Sequence, residues 1–144
     1  MAMFSTEMAR EQGPRPGKKY FTLAEARRAL PLIKRIAHDV QAVQGLRVTL
    51  NEQLHAHIAQ TQREEALLEA HFEQATSQLE GYLQELAQVG AELKDVSTAL
   101  LDFPALHQGR EVLLCWQGGE ETITHWHERD GGFAGRKPVA MLEV

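Results

Sequence analysis

Only one cysteine stands in the 144 residues, so no intrachain disulfide can form, and the chain suits a reducing compartment. No apolar run approaches the ~20 residues of a membrane span. The first seventeen residues lack the apolar stretch of a secretory signal, so the expected location is cytoplasmic. Basic residues are outnumbered, fifteen to twenty, for a formal charge of −5, and they are dispersed. Their densest cluster is Arg10, Arg15, Lys18 and Lys19 near the start. Nucleic-acid binding, which leans on a basic surface, is therefore not expected. Proline is scarce too, and neither proline nor glycine interrupts Leu46 to Glu80. The length fits one domain able to bury a core without disulfides or a structural metal.

Residues 1–19 carry Gly13, Pro14, Pro16 and Gly17 among alternating charges and are expected to be a mobile tail, followed by a single domain over 20–144. Order begins at Tyr20-Phe21. Thr22-Leu-Ala-Glu25 is a capping box, with Phe21 at the staple position before it. Leu30, Ile33, Ala37, Val40 and Val43 then recur at three- and four-residue steps, and Leu46, Leu50, Leu54 and Ile58 continue the stripe. Pro31 should bend the first turns or mark a 3₁₀ start. One straight helix over 23–89 would be about 100 Å long and would leave its stripe unburied. A hairpin over about 22–89 folds one stripe onto the other. Thr61-Gln-Arg-Glu64, a second capping box, places the turn near Ala59 to Gln62. The second helix, with Leu68, Phe72, Ala75, Leu79, Leu83 and Leu86 inward, should stop at Gly90.

Beyond Gly90 the apolar period falls from about 3.6 to 2. Ala91–Lys94 and Ala99–Phe103 read as short strands, the second ended by Pro104. Glu111–Trp116 is the clearest strand, and Gly118-Gly119 signals a hairpin from which Glu121–Glu128 pairs back. Three or four antiparallel strands over about 91–144, with a helical hairpin against one face, make an α+β domain. On the central strand Val112, Leu114 and Trp116 share one face, and Leu113 and Cys115 the other. His125 and His127 share a face of the last strand. The register between the two strands is not specified.

The chemistry-bearing residues gather in this second part, which holds both tryptophans and the cysteine. His125 and His127, two apart on a strand, are candidate ligands for Zn, Fe or Mn, with Glu128, Cys115, Asp102 or His107 completing the set. The competing reading is a half-exposed sheet face with histidines bonded to carboxylates. Gly131-Gly-Phe-Ala-Gly-Arg136 is a candidate anion site. Gly132 and Gly135 would allow close backbone approach, and Arg136 would fork onto a small anionic ligand. The competing reading there is a loop with Phe133 in the core and Arg136 paired to an acid such as Asp130. Cys115, in the most apolar strand, reads as packing rather than a nucleophile. His55, His57 and His71 near the hairpin turn read as solvated. Leu67, Tyr82 and Val43, at the edges of the hairpin stripe, are candidates for burial against a second copy, in a coiled-coil-like homodimer.

Phe21-Thr-Leu-Ala-Glu-Ala, Leu30-Pro-Leu, Leu101-Asp-Phe-Pro-Ala, Leu114-Cys-Trp, Trp126-His-Glu and Gly132-Phe-Ala-Gly-Arg-Lys-Pro138 together resemble a bacterial family of small cytosolic proteins filed as domain of unknown function 2203. The resemblance runs from about residue 20 to the C-terminus. It implies no activity. It places His127 at a typical position and His125 at a less typical one, which weakens a site needing both. The sequence favours a non-enzymatic binding or oligomeric interaction module. The alternative is a metal-dependent protein, hydrolytic or redox, using the His125/His127 segment.

Overall fold

The computed structural model describes residues 13–142. The hairpin is formed by α1, Leu23–His55, and α2, Gln62–Val89. Thr22 caps α1 as a full capping box: its hydroxyl accepts from the Glu25 amide at 3.1 Å, and the Glu25 carboxylate accepts from the Thr22 amide at 3.0 Å. Thr61 likewise accepts from the Glu64 amide, but the Glu64 carboxylate reaches one residue further, to the Gln60 amide at 2.7 Å. Pro31 does not interrupt α1; helix runs through it from Leu23. α2 stops where Gly90 turns left-handed, φ +102°, and returns its amide to the Leu86 carbonyl.

Five antiparallel strands follow among the described residues, side by side in chain order: β1 Glu92–Asp95, β2 Leu100–His107, β3 Arg110–Trp116, β4 His125–Glu128 and β5 Lys137–Pro138. The domain is α+β. Leu101, Phe103 and Ala105 of β2 lie opposite Trp116, Leu114 and Val112 of β3, and Trp126 of β4 lies opposite Leu114. These side chains form one face of the sheet and pack on Leu30, Ile33, Ala37 and Val40 of α1 and Leu86 of α2. Phe21 meets Phe103 edge-on, centroids 5.4 Å apart. A smaller cluster of Val43, Leu50 and Ala75, backed by Leu68, Phe72 and Tyr82, closes the outer half of the hairpin. Val43 is therefore buried within its own chain, whereas Leu67 is 51% exposed.

Several expectations change. Leu46 and Ile58 of the expected first stripe and Leu83 of the expected inner face of the second helix are exposed, at 48%, 54% and 37%. Pro104 does not end β2, which continues to His107. Its carbonyl accepts from the Phe21 amide at 2.7 Å, so the side of the residue that lacks a donor faces the edge beyond β1 and the ladder to β3 loses nothing. The strand expected over Glu121–Glu128 is reduced to His125–Glu128, and Gly118-Gly119 is not a tight hairpin. The segment between is drawn onto the helix instead. Arg27 donates to the Ile123 carbonyl at 2.9 Å, Lys34 donates to the Glu121 carbonyl at 2.7 Å, and Ile123 is fully buried. Phe133 is 47% exposed rather than plugged into the core. Most of the expected tail lies outside the described residues; from Gly13 onward it engages the sheet, as described below.

Candidate metal centre

The register of β2, β3 and β4 does what no single strand could. Asp102 lies directly opposite Cys115, and His127 lies opposite Leu113, the next residue of β3 on that face. All three point away from the helices, because the alternate residues of each strand fill the core. They are buried nonetheless, at 2%, 0% and 3% exposure. A carboxylate oxygen, the thiol sulfur and a ring nitrogen come within 4.8 Å of one another. Among the described residues this is the one such convergence of three metal-ligating side chains.

His127 is held from both sides. Its Nδ1 donates to the Glu128 carbonyl at 2.6 Å, and its Nε2 faces Asp102 Oδ1 at 3.0 Å. With an acceptor at each nitrogen the ring is an imidazolium, an assignment that follows from the hydrogen-bond network. Burial works against that charge. The Asp102 carboxylate, the Cys115 side chain and the Glu128 carbonyl outweigh it and raise the pKa from 6.5 to about 10. The Glu128 carbonyl also accepts from the Gly131 amide at 3.0 Å, so the turn after β4 steadies the atom that orients the ring.

The other candidates are placed elsewhere. His125 shares the face, opposite Cys115, but is half-exposed and bonded through Nδ1 to the Thr124 hydroxyl at 2.8 Å. The Glu128 side chain projects to the opposite face and is gripped by Arg110 at 2.6 and 3.1 Å, which lowers its pKa. His107 packs against Trp126 on the helix side, centroids 5.3 Å apart. Arg136 donates to both Glu120 oxygens at 2.7 and 2.8 Å and to the Cys115 carbonyl at 3.3 Å, and lies over the Phe133 ring. Its acid partner is thus Glu120, not Asp130. Gly132, φ +59°, starts the short 3₁₀ turn Phe133–Gly135 that carries the chain to Arg136. At the hairpin turn His55 Nδ1 is bonded to the Asn51 carbonyl, and none of the three histidines there joins a ligand group among the described residues.

One functional-looking residue escaped the sequence reading. Glu111 is 2% exposed and lies on the same face as Cys115. Its carboxylate accepts from Arg15 at 2.7 Å, Lys18 at 3.0 Å and the Tyr20 hydroxyl at 2.7 Å, with Arg129 at 3.5 Å. The signal was there: an acid opening the most apolar strand, and the densest basic cluster near the start of the chain.

No curated protein and no solved structure matches the chain. A family model described as "Uncharacterized conserved protein (DUF2203)" matches residues 19–139, from just before the hairpin to just past β5. The motifs that lie in that span include the Asp102, Cys115 and His127 strands, and the chain belongs to the DUF2203 family.

Proposed function

We propose that the chain is a metal-binding protein whose centre is Asp102, Cys115 and His127. The observation that carries the reading is the meeting of oxygen, sulfur and nitrogen donors within 4.8 Å at a place nearly closed to solvent. Mixed donors including a thiolate suit a borderline ion such as Zn²⁺. The Nδ1–H bond to the Glu128 carbonyl is the support that metal-ligating histidines ordinarily have, and it leaves Nε2 directed at the cluster. A buried ion pair is weak evidence of stabilisation, since apolar residues of similar size often do as well or better. Three buried ionisable side chains brought together in one place, with the His127 pKa raised, favour a functional reason.

Nucleophilic catalysis fits the same residues less well. A histidine that pairs with a catalytic thiol, as a neutral base or as the imidazolium of a thiolate pair, has its orienting carboxylate on the far nitrogen. Here the carboxylate stands at Nε2 and a carbonyl occupies Nδ1. A bound ion would replace the Nε2 proton and the thiol proton, so uptake would release acid and strengthen as pH rises.

The test is titration of chelator-treated protein with Co²⁺, followed by elemental analysis after Zn²⁺ exchange. One equivalent with a thiolate-to-cobalt charge-transfer band, lost in Cys115→Ser and Asp102→Asn, is the expected result. Failure of the folded wild-type protein to take up either ion at micromolar concentration overturns the reading.

The hairpin supplies a second reading, as the interaction surface between two copies. Leu46, Val48 and Leu67 are 47–51% exposed along it. Light scattering would then give twice 16.2 kDa, and a monomer at the same concentration removes the idea.

A further inference from the structure

The Asp102, Cys115 and His127 cluster lies on the sheet face that the helices do not cover, yet it is closed. Anything that reaches it must displace part of the chain. Two segments meet on that face. One is the strap 13–20, the other the turn 129–132 that follows His127. Gly131 lies so close that a Cβ there would sit 3.6 Å from the His127 Cβ.

Both segments are tied to Glu111. Arg15 forks onto its carboxylate through Nε and Nη2 at 2.7–3.2 Å, Lys18 and the Tyr20 hydroxyl add two more bonds, and Arg129 brings in the turn at 3.5 Å. Lys18 is shared with Glu92 at 3.4 Å. The strap has little else. From Gly13 to Lys19 it offers no large apolar side chain except the rings of Pro14 and Pro16; Tyr20, at its end, adds one half-buried ring, and the strap is tied to the sheet by ion pairs and hydrogen bonds to Glu111 and Glu92. The cations are partly in water: the Arg15 side chain is 50% exposed, Arg129 36%, against 2% for Glu111. Segments held by a few polar bonds, with little apolar burial, open at a far lower cost than the core.

We propose that Glu111 is a latch that holds the strap 13–20 and the turn 129–132 closed over the cluster and thereby controls access to it. The connection to the site is direct. Arg129 belongs to the turn whose Gly131 amide shares the Glu128 carbonyl with His127 Nδ1, so releasing Glu111 loosens both the cover and the support of the ring. Glu111 acts as a positioning residue. What enters when the latch opens rests on the metal reading; the opening itself does not.

The single cysteine makes the opening measurable. In chelator-treated full-length protein, the reaction of Cys115 with a disulfide reagent such as dithiobis(nitrobenzoate) reports exposure of the face. The wild-type thiol should react far more slowly than in denaturant. Arg15→Ala, a change at a half-exposed side chain, should speed the reaction about tenfold, because a charge-assisted fork to a buried carboxylate is lost. Glu111→Gln should do at least as much, and Arg15→Lys should recover part of the protection. Raising ionic strength from about 0.05 to about 0.5 M should speed the wild type and hardly affect Arg15→Ala. Val43→Ala, in the outer hairpin and matched to Arg15→Ala in melting temperature, is the control for global unfolding. The latch is overturned by an Arg15→Ala rate within about twofold of wild type, or by an equal rise in the Val43→Ala control. Should Glu111→Gln not fold, Arg15→Ala decides alone. A protein that takes up no metal but shows the latch in its thiol rates would sink the metal reading only; one that loads metal with unchanged rates would sink the latch only.

Discussion

Asp102 Oδ1 and His127 Nε2 stand 3.0 Å apart between two residues no more than 3% exposed, on the face of the sheet that the helical hairpin leaves alone. The pair joins β2 to β4 across β3, and Cys115 of β3 lies between them in the ladder. Its charge makes the stability of the metal-free protein depend on pH in a defined direction.

The folded pKa of His127 is raised, from 6.5 to about 10. A raised pKa means that the folded state holds the proton more tightly than the unfolded chain. The stabilisation is thus fully present below about pH 6.5, the unfolded value, and is lost as pH rises through about 10. Urea unfolding of chelator-treated protein between pH 6 and pH 10 should show stability falling with pH, and Asp102→Asn should flatten the slope. A wild-type stability that is level or rising over that window would contradict the ion pair.

Removing one partner should cost more than removing both. His127→Ala leaves the Asp102 carboxylate buried without its cation and should destabilise by about 3–5 kcal/mol. Replacing both residues by leucine removes the stranded charge and should recover most of that loss. Chemical denaturation of His127→Leu, Asp102→Leu and the double leucine variant forms the cycle. Additive losses would mean that the residues are not coupled.

Gly90→Ala should weaken the junction between hairpin and sheet. The residue sits at φ +102°, and a Cβ would meet Phe21 Cε1 at 3.2 Å. Both the left-handed backbone and the crowding act against alanine, for a loss of at least about 1–2 kcal/mol. Thermal melting would detect it; an unchanged midpoint would mean that the turn relaxes freely.

Leu86 and Leu46 separate core from surface on the hairpin. Leu86 is 2% exposed and lies over the sheet, so Leu86→Ala should cost about 2–5 kcal/mol. Leu46 is 48% exposed, and Leu46→Ala should stay within about 0.5 kcal/mol in a monomer. A much larger, concentration-dependent loss at Leu46 would instead favour the two-copy reading of the hairpin.

Much of the scaffold was readable residue by residue because its signals are local. The Thr22 and Thr61 caps, the stop at Gly90 and the three-and-four spacing of Leu30, Ile33, Ala37 and Val40 each act within a turn or two of helix, and the hairpin formed where they point. Alternation along β3 likewise separated Leu114 from Cys115 before any partner strand was known. The α+β architecture follows from those signals together.

What neighbours contribute was not readable in this way. Pro104 looks like a strand terminator until the Phe21 amide is seen bonding to its carbonyl at an edge. The segment 117–124 looks like half a hairpin until Arg27 and Lys34 claim its carbonyls. The candidate centre is the clearest case. A period of two assigns each residue to a face of its own strand, but a shift of one residue between strands would send His127 to the other side of the sheet. Composition and spacing nominated Asp102, Cys115 and His127 among several residues. Only the packing of β2, β3 and β4 into one register placed those three together, sent Glu128 to Arg110, and left His125 near the surface.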